Sequence, residues 1–170
     1  MNYTWAFAAL TDVDAIVKMA EQHFQIEIDQ IFKPDPPAYA RNLAYSVLNQ
    51  TYYPTSELLT VAKNDAGELI AYNWAKSGDR AFWSDDCMVN VRMVHVDLAL
   101  SPRLRIKLIK DMMLHWEQLA IASKNPIVCS TTMRHDQDGF LKLHIKAGYS
   151  VRGSYAYKKV SALQTGLPIP

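Results

Sequence analysis

Only two cysteines occur in 170 residues, Cys87 and Cys129, and they stand far apart in the chain. Neither a disulfide framework nor a zinc-ligand spacing can be built from such a pair, so both read as reduced, packed thiols. The five histidines, His23, His95, His115, His135 and His144, form no His-x-x-x-His pair and have no cysteine beside them, so no metal cofactor is expected. No excess of one charge is present either. With 18 basic and 17 acidic residues the net charge is +1, which excludes a global pull toward nucleic acid and makes any anion site local. The apolar runs are broken by Arg92, His95 and Asp97, well short of the ~18 residues that a membrane span needs. The first ten residues lack a basic flank, an apolar stretch and a small-residue cleavage site, so the expected location is cytoplasmic. Internal repeats and low-complexity segments are missing too.

What remains is the composition of an ordinary globular chain, 49% hydrophobic and 21% charged, of a length that buries one substantial core. A single domain is expected over residues 1–160. The tail, 161–170, ends in Pro168 and Pro170 and has little to bury.

Residues 2–10 are apolar and aromatic and stop at Thr11, which with Asp14 forms a Thr-x-x-Asp capping box for a helix. Val13, Ile16, Val17, Ala20 and Phe24 then share one helical face. Prolines 34, 36 and 37 interrupt the chain, and residues 38–50 form a second helix with Leu43, Val47 and Leu48 inward. Two β-rich runs, 57–63 and 69–76, flank Asn64-Asp65-Ala66-Gly67, which is turn chemistry for an antiparallel hairpin. A long strand follows over 88–100. Its apolar residues change phase, from odd positions Val89, Val91 and Met93 to even positions Val94, Val96, Leu98 and Leu100, as at a β-bulge or in a strand buried on both faces. From Pro102 a helix turns Leu108, Met112, Trp116 and Leu119 to one side until Asn125-Pro126 ends it. A short strand over 127–132, a helix capped by Asp136 and closed by Gly148, and a last strand over 149–160 complete the chain. The order β-α-α-β-β-β-α-β-α-β fits an α/β fold, a central mixed sheet with helices on both faces.

The segment "LALSPRLRIKLIKDMM", residues 98–113, passes from that long strand into a helix and gathers Arg103, Arg105, Lys107 and Lys110 at the junction. A helix N-terminus offers unpaired N–H groups and about half a positive charge. Read alone, these residues make an anion site at a strand-to-helix crossover.

The same segment, the order of elements, and "FLKLHIKAGY" before the last strand resemble the GNAT superfamily of acyl-CoA-dependent N-acyltransferases over residues 2–160. In that family the strand ends in hydrophobic-x-Pro-x-x-Arg/Gln-x-x-Gly-x-Gly/Ala, and amides at the helix start grip the pyrophosphate of coenzyme A. Leu100, Pro102 and Arg105 match, whereas Leu108 and Lys110 stand where glycines are usual. The family's second pattern, Asn-x-x-Ala-x-x-Leu-Tyr-x-x-x-Gly-Phe, is approximated by Gln137, Phe140, Leu143, His144, Gly148 and Tyr149.

The resemblance implies that acetyl-CoA or another acyl-CoA is the co-substrate, with no metal. Leu98, Ala99, Leu100, Arg103, Arg105, Ile106, Lys107, Leu108, Ile109, Lys110 and Gln137 are then the residues expected to bind it. His144 takes the place of the family tyrosine that protonates the departing thiolate, a task its ordinary pKa of about 6.5 suits. The glutamate that some members use as base is Val94 here. His95, a catalytic candidate together with His144, and Asp97 are neighbours on the same strand, and Asp85 and Asp86 are an alternative placed to attract an amine. Many such enzymes rely on a water chain, so the base is left open. An oxyanion donor is expected among the amides of Leu98 to Leu100. The implied activity is transfer of an acetyl or related acyl group to the amine of a small molecule or a protein, with neither membrane nor nucleic acid involved. The alternative is a GNAT-fold protein without catalysis, a structural or partner-binding component of a larger assembly. Tyr52, Tyr53, Phe82 and Trp83, with the C-terminal tail, are candidate contacts for a homo-oligomer or such an assembly.

Overall fold

The computed structural model describes residues 2–27, 33–80, 84–132 and 137–152. Within them one five-stranded sheet runs in chain order: β1 (Tyr3–Phe7), β2 (Glu57–Asn64), β3 (Leu69–Arg80), β4 (Cys87–Val96) and β5 (Ile127–Ser130). The first four strands pair antiparallel, and β4 pairs with β5 in parallel across the crossover helix. Helices α1 (Val13–Glu27) and α2 (Pro36–Tyr52) cover one face, and α3 (Pro102–Ser123) and α4 (Gln137–Lys146) the other. The expected mixed sheet and element order are present as far as α4; most of the last expected strand, the cap at Asp136 and the tail lie outside the described residues, and 149–152 form no strand.

The two cores follow from the alternation of β2 and β3. Leu58, Ala62, Ala71 and Ala75 meet α3 through Leu108, Met112, Met113, Trp116 and Leu119, while Leu59, Val61, Tyr72 and Trp74 meet Ile16, Ala20, Leu43 and Val47. Each large apolar side chain so buried contributes about 1.5–3 kcal/mol. A buried polar thread pins α3 in register: Trp116 Nε1–H donates to Asn73 Oδ1 at 3.0 Å, and Asn73 Nδ2–H to Thr60 Oγ1 at 2.6 Å.

Local chemistry departs from expectation at several points. Thr11 lies inside a short 3-10 turn, Leu10–Asp12, that runs straight into α1; the buried Asp12 carboxylate closes the start of that turn by accepting from Ala9 N–H at 2.9 Å and pairs with Lys63 at 2.6 Å. In α2, Asp35 caps Ala38 N–H at 3.0 Å and the helix opens two residues earlier, at Pro36, because proline suits a first turn. Leu48 is exposed rather than inward. Gln50 takes the next inner position, its amide donating to Ala8 O at 2.8 Å and accepting from Leu59 N–H at 2.9 Å, so it ties α2 to the sheet. The hairpin turn is as expected: Gly67 has φ +80°, and Asn64 Oδ1 accepts from Ala66 and Glu68 N–H. The strand β5 stops at Ser130, short of Thr132.

The largest correction concerns β4, which ends at Val96 instead of 100. Asp97 stops it: its Oδ1 accepts from Ala99 N–H at 2.8 Å and its carbonyl from Leu100 N–H at 3.2 Å, folding 97–100 into a turn.

Candidate active site

The phase change in β4 is a bulge, and it sits at Arg92. Trp74 faces Met93 and Ala75 faces Val91, so Arg92 has no partner on β3. The same place is where β5 parts from β4. Their pairing runs from Met88–Ile127 to Val91–Ser130 and stops, while β4 continues to Val96. Asp97 N–H donates to Ile70 O on β3, so alternation turns the backbone groups of His95 and Met93 toward β3 and those of Val94 and Val96 toward the opposite, opened edge.

A cleft of about 480 Å³ fills that opening. Phe24 of α1, Met93 and Val94 of β4, Leu98, and then Ile106, Ile109, Phe140 and Leu143 of α3 and α4 form its apolar walls, and the His95 imidazole lines it near Phe24. Because α1 lies on one face of the sheet and α3 and α4 on the other, the cleft passes between strands from face to face. Its charged lining is cationic: Arg92, Arg105, Lys142 and Lys146, with no acidic side chain among the described lining residues. Lys142 and Lys146 are one helical turn apart on α4. The Nε of Arg105 is buried with no hydrogen-bond partner among the described residues.

At the start of α3, Ser101 caps the helix, its carbonyl accepting from Leu104 and Arg105 N–H at 3.0 Å each. Pro102 has no N–H, so within Pro102–Arg105 only the Arg103 N–H remains for a ligand. A shallower groove over Ala99, Leu100, Arg103, Lys107 and Lys110 lies beside this end. Lys107 is drawn toward β1, its Nζ 4.8 Å from the Tyr3 ring centre.

His95 stands at the α1 end of the cleft, 7% exposed. Tyr72 OH lies 2.6 Å from its Nδ1, and Tyr39 OH lies 2.9 Å from Tyr72 OH. Its ring is stacked on His23, with centroids 4.3 Å apart and planes 12° from parallel, and His23 Nε2–H donates to Val96 O at 2.9 Å.

No family model matches the chain, and no curated protein matches it. Solved structures do. A predicted acetyltransferase with acetyl-CoA from Clostridium acetobutylicum superposes with a TM-score of 0.70 over 93% of this chain and 96% of that one, at 10% identity. An aminoglycoside N-acetyltransferase in complex with CoA gives 0.69 over 95% and 96%, at 12% identity. Glucosamine-6-phosphate N-acetyltransferase from Arabidopsis thaliana gives 0.64 over 95% and 100%, at 12% identity. The chain has the GNAT fold.

Within this GNAT fold the sequence-expected residues divide. Leu98, Arg105, Ile106, Ile109 and His95 line the cleft, and Ala99, Leu100, Arg103, Lys107 and Lys110 line the neighbouring groove. Leu108 does neither; it is 0% exposed and packs in the core. Since Leu108 and Lys110 lie inside α3 and, among the described residues, Lys124 is the only non-glycine with positive φ, side chains at 108 and 110 bring no backbone strain. Gln137 is exposed at the start of α4 and does not line the cleft.

His144, expected to meet the leaving sulfur, is also not among the residues that line the cleft. It is 3% exposed, its Nδ1–H donates to Phe140 O at 2.9 Å, and its Nε2 is buried with no partner among the described residues. Trp116, Phe140 and Tyr149 enclose the ring, and burial holds its pKa below the usual value against the opposing effect of the Phe140 carbonyl. The oxyanion expectation moves as well. Ala99 and Leu100 N–H are both occupied by Asp97, and the bulge lies at Arg92, so Val94 carries the amide aimed at the opened edge. Asp97 itself is held in its turn.

No sequence motif marks Tyr72, Tyr39, His23, Arg92, Lys142 or Lys146 as part of a site. The Lys-x-x-x-Lys spacing on α4 was the one usable signal. The tyrosines became visible only through the strand register, in which Tyr72 pairs with His95. Among the described residues no helix is long and apolar enough to cross a membrane.

Proposed function

We propose that this chain is an acyl-CoA-dependent N-acyltransferase whose donor and acceptor meet in the cleft from opposite faces of the sheet. The observation that carries the reading is the parting of β4 and β5 beyond Val91 and Ser130, which opens a passage with cations toward α3 and α4 and an imidazole toward α1. The solved acetyltransferases of this fold, two of them with acetyl-CoA or CoA, support the same reading.

The diphosphate of the donor belongs near the start of α3, where Arg105, the Arg103 N–H and the helix dipole face an anion, with Lys142 and Lys146 opposite. Cations there replace the amide-rich glycine turn. The pantetheine arm follows the apolar walls Ile106, Ile109, Phe140 and Leu143 toward the β4 edge. An acceptor amine approaches from the α1 side and attacks the thioester carbonyl. His95 takes its proton, and the Val94 N–H holds the developing oxyanion, a donor of a kind whose removal typically costs about 3–4 kcal/mol of barrier. The thiolate then leaves and is protonated from water.

Calorimetric titration with acetyl-CoA at moderate salt tests the reading. Saturable binding that Arg105→Ala weakens is the expected result. No binding at millimolar acetyl-CoA would overturn it and leave a noncatalytic GNAT-fold component.

A further inference from the structure

The bulge in β4 turns two consecutive side chains to one face of the sheet. Val91 packs in the core under α3, and regular alternation would return Met93 to that core, yet Met93 packs on the α1 and α2 side. Arg92, the extra residue, reaches the same side, where its guanidinium carbon lies 5.8 Å from the centre of the Trp74 ring. Trp74 is itself fixed, for its Nε1–H donates to Glu57 Oε1 at 2.8 Å, while Asn49 Nδ2–H donates to Glu57 Oε2 at 2.8 Å. The carboxylate bonded to Trp74 is thus engaged by neutral donors and buried. Arg92 is exposed and lines the cleft, and among the described residues it has no ion pair and no hydrogen bond. A guanidinium held against an aromatic ring keeps N–H groups free to grip an oxyanion in bidentate fashion.

We propose that Arg92 holds an anionic group of the acceptor, so that the chain acylates small primary amines that also carry a carboxylate or a phosphate. The proposal rests on the acyltransferase reading above and names its acceptor class. Arg105, Lys142 and Lys146 stand on the α3 and α4 side, where the diphosphate of the donor belongs; Arg92 is the lining cation on the α1 side, where the acceptor enters. The strand sets the spacing, since Val94 and His95 follow Arg92 by about 7 and 10 Å at ~3.3 Å per residue. An acceptor a few atoms long can therefore meet the guanidinium at one end and present its amine to the Val94–His95 edge at the other. The cations of the cleft repel a second ammonium on the acceptor, and the same repulsion favours the neutral amine that attacks. No carboxylate among the described lining residues offsets them.

The test is thiol release from acetyl-CoA with four acceptors of similar length: propylamine, 1,3-diaminopropane, β-alanine and O-phosphoethanolamine, beside calorimetry with acetyl-CoA. For the wild type, kcat/KM with β-alanine or with O-phosphoethanolamine is expected to exceed that with propylamine by about tenfold or more, and 1,3-diaminopropane to fall below propylamine. Whichever anionic acceptor leads tells carboxylate from phosphate. Arg92→Gln keeps the length of the side chain without its charge and should bring the anionic acceptors to within about twofold of propylamine. Arg92→Glu should reverse the order and put 1,3-diaminopropane first. A wild type that prefers neither anionic acceptor, or an Arg92→Gln protein that keeps the wild-type ratio, overturns the assignment while the acyltransferase reading stands. Wild-type protein that binds acetyl-CoA and acylates none of the four likewise overturns the assignment. Wild-type protein that does not bind acetyl-CoA overturns the acyltransferase reading and the role of Arg92 with it.

Discussion

His144 and Phe140 lie one helical turn apart on α4 with ring centroids 4.3 Å from each other, and the histidine donates Nδ1–H to the phenylalanine's own carbonyl at 2.9 Å. That pairing turns the imidazole into the core beside Trp116. A histidine so placed acts on stability, and His144→Phe is expected to leave kcat within about twofold of the wild type, since general-acid groups that matter change rates by about 10²–10⁴. A larger fall in kcat at unchanged acetyl-CoA affinity would return His144 to the mechanism.

The same burial gives a pH dependence with a definite sign. Burial lowers the pKa of His144, and of His115 despite the attraction of Asp111, below the unfolded value of about 6.5. Between the folded and unfolded values the unfolded chain binds more protons, so stability rises with pH through that window and is lost as pH falls below about 6.5. Urea unfolding at pH 7.5 and 5.5 reads this directly. The wild type is expected to lose stability at the lower pH, and the double variant His115→Phe/His144→Phe to lose less; equal losses would contradict the burial argument.

His95 and His23 separate chemistry from support. His95→Gln is expected to lower kcat by about 10²–10⁴ with little change in acetyl-CoA affinity. His23→Phe keeps a stacked ring but leaves Val96 O without the Nε2–H that now reaches it, an unsatisfied buried acceptor of a kind that costs about 1–3 kcal/mol. The denaturant midpoint of His23→Phe is the check; an unchanged midpoint would mean that the Val96 carbonyl finds another donor.

Much of the architecture was legible because its signals are local. The hairpin announces itself in Asn64 to Gly67, α3 in its Pro102 start and its Leu108, Met112, Trp116 stripe, and the bulge in the shift from odd to even apolar positions. The end of β4 is hidden in the sequence because Leu98 and Leu100 continue the apolar alternation while Asp97 stops the strand through its own side chain. For His144, helical spacing fixes which residues share a face but not which of two neighbours that face meets. Tyr72 and Tyr39 reach His95 across strand pairing and helix docking, contacts between positions 23 and 33 residues apart that no short window contains.

Arg105 is the cation whose removal should be felt most. Its buried Nε has no partner among the described residues, and the side chain lines the cleft at the start of α3. A charge-assisted hydrogen bond is worth about 1.5–3 kcal/mol, so Arg105→Ala is expected to weaken acetyl-CoA binding by about 10- to 100-fold. Calorimetry at low and high salt checks this, because part of the wild-type affinity should also fall as salt rises. Wild-type affinity in the variant would move the phosphate site elsewhere, to Lys142 and Lys146 or to the groove beside α3.

Restoring the family glycine tests how this chain departs from its fold relatives. If Leu108 had merely displaced a phosphate-binding glycine, Leu108→Gly would improve acetyl-CoA affinity. The structure argues otherwise, for Leu108 is fully buried among the residues that bind α3 to the sheet, two turns inside a helix with ordinary dihedrals. Truncating a buried leucine to alanine costs about 2–5 kcal/mol, and a glycine in a helix interior about 1 kcal/mol more. Leu108→Gly is therefore expected to lower the unfolding free energy by several kcal/mol and to bind acetyl-CoA no better than the wild type. Lys110→Gly, on the exposed side of the same helix, should cost only about 1 kcal/mol and gain nothing in affinity. A variant at either position that bound acetyl-CoA more tightly would mean that the helix start unwinds to receive its ligand, and that the first turns of α3, not the cations around them, are the true phosphate site.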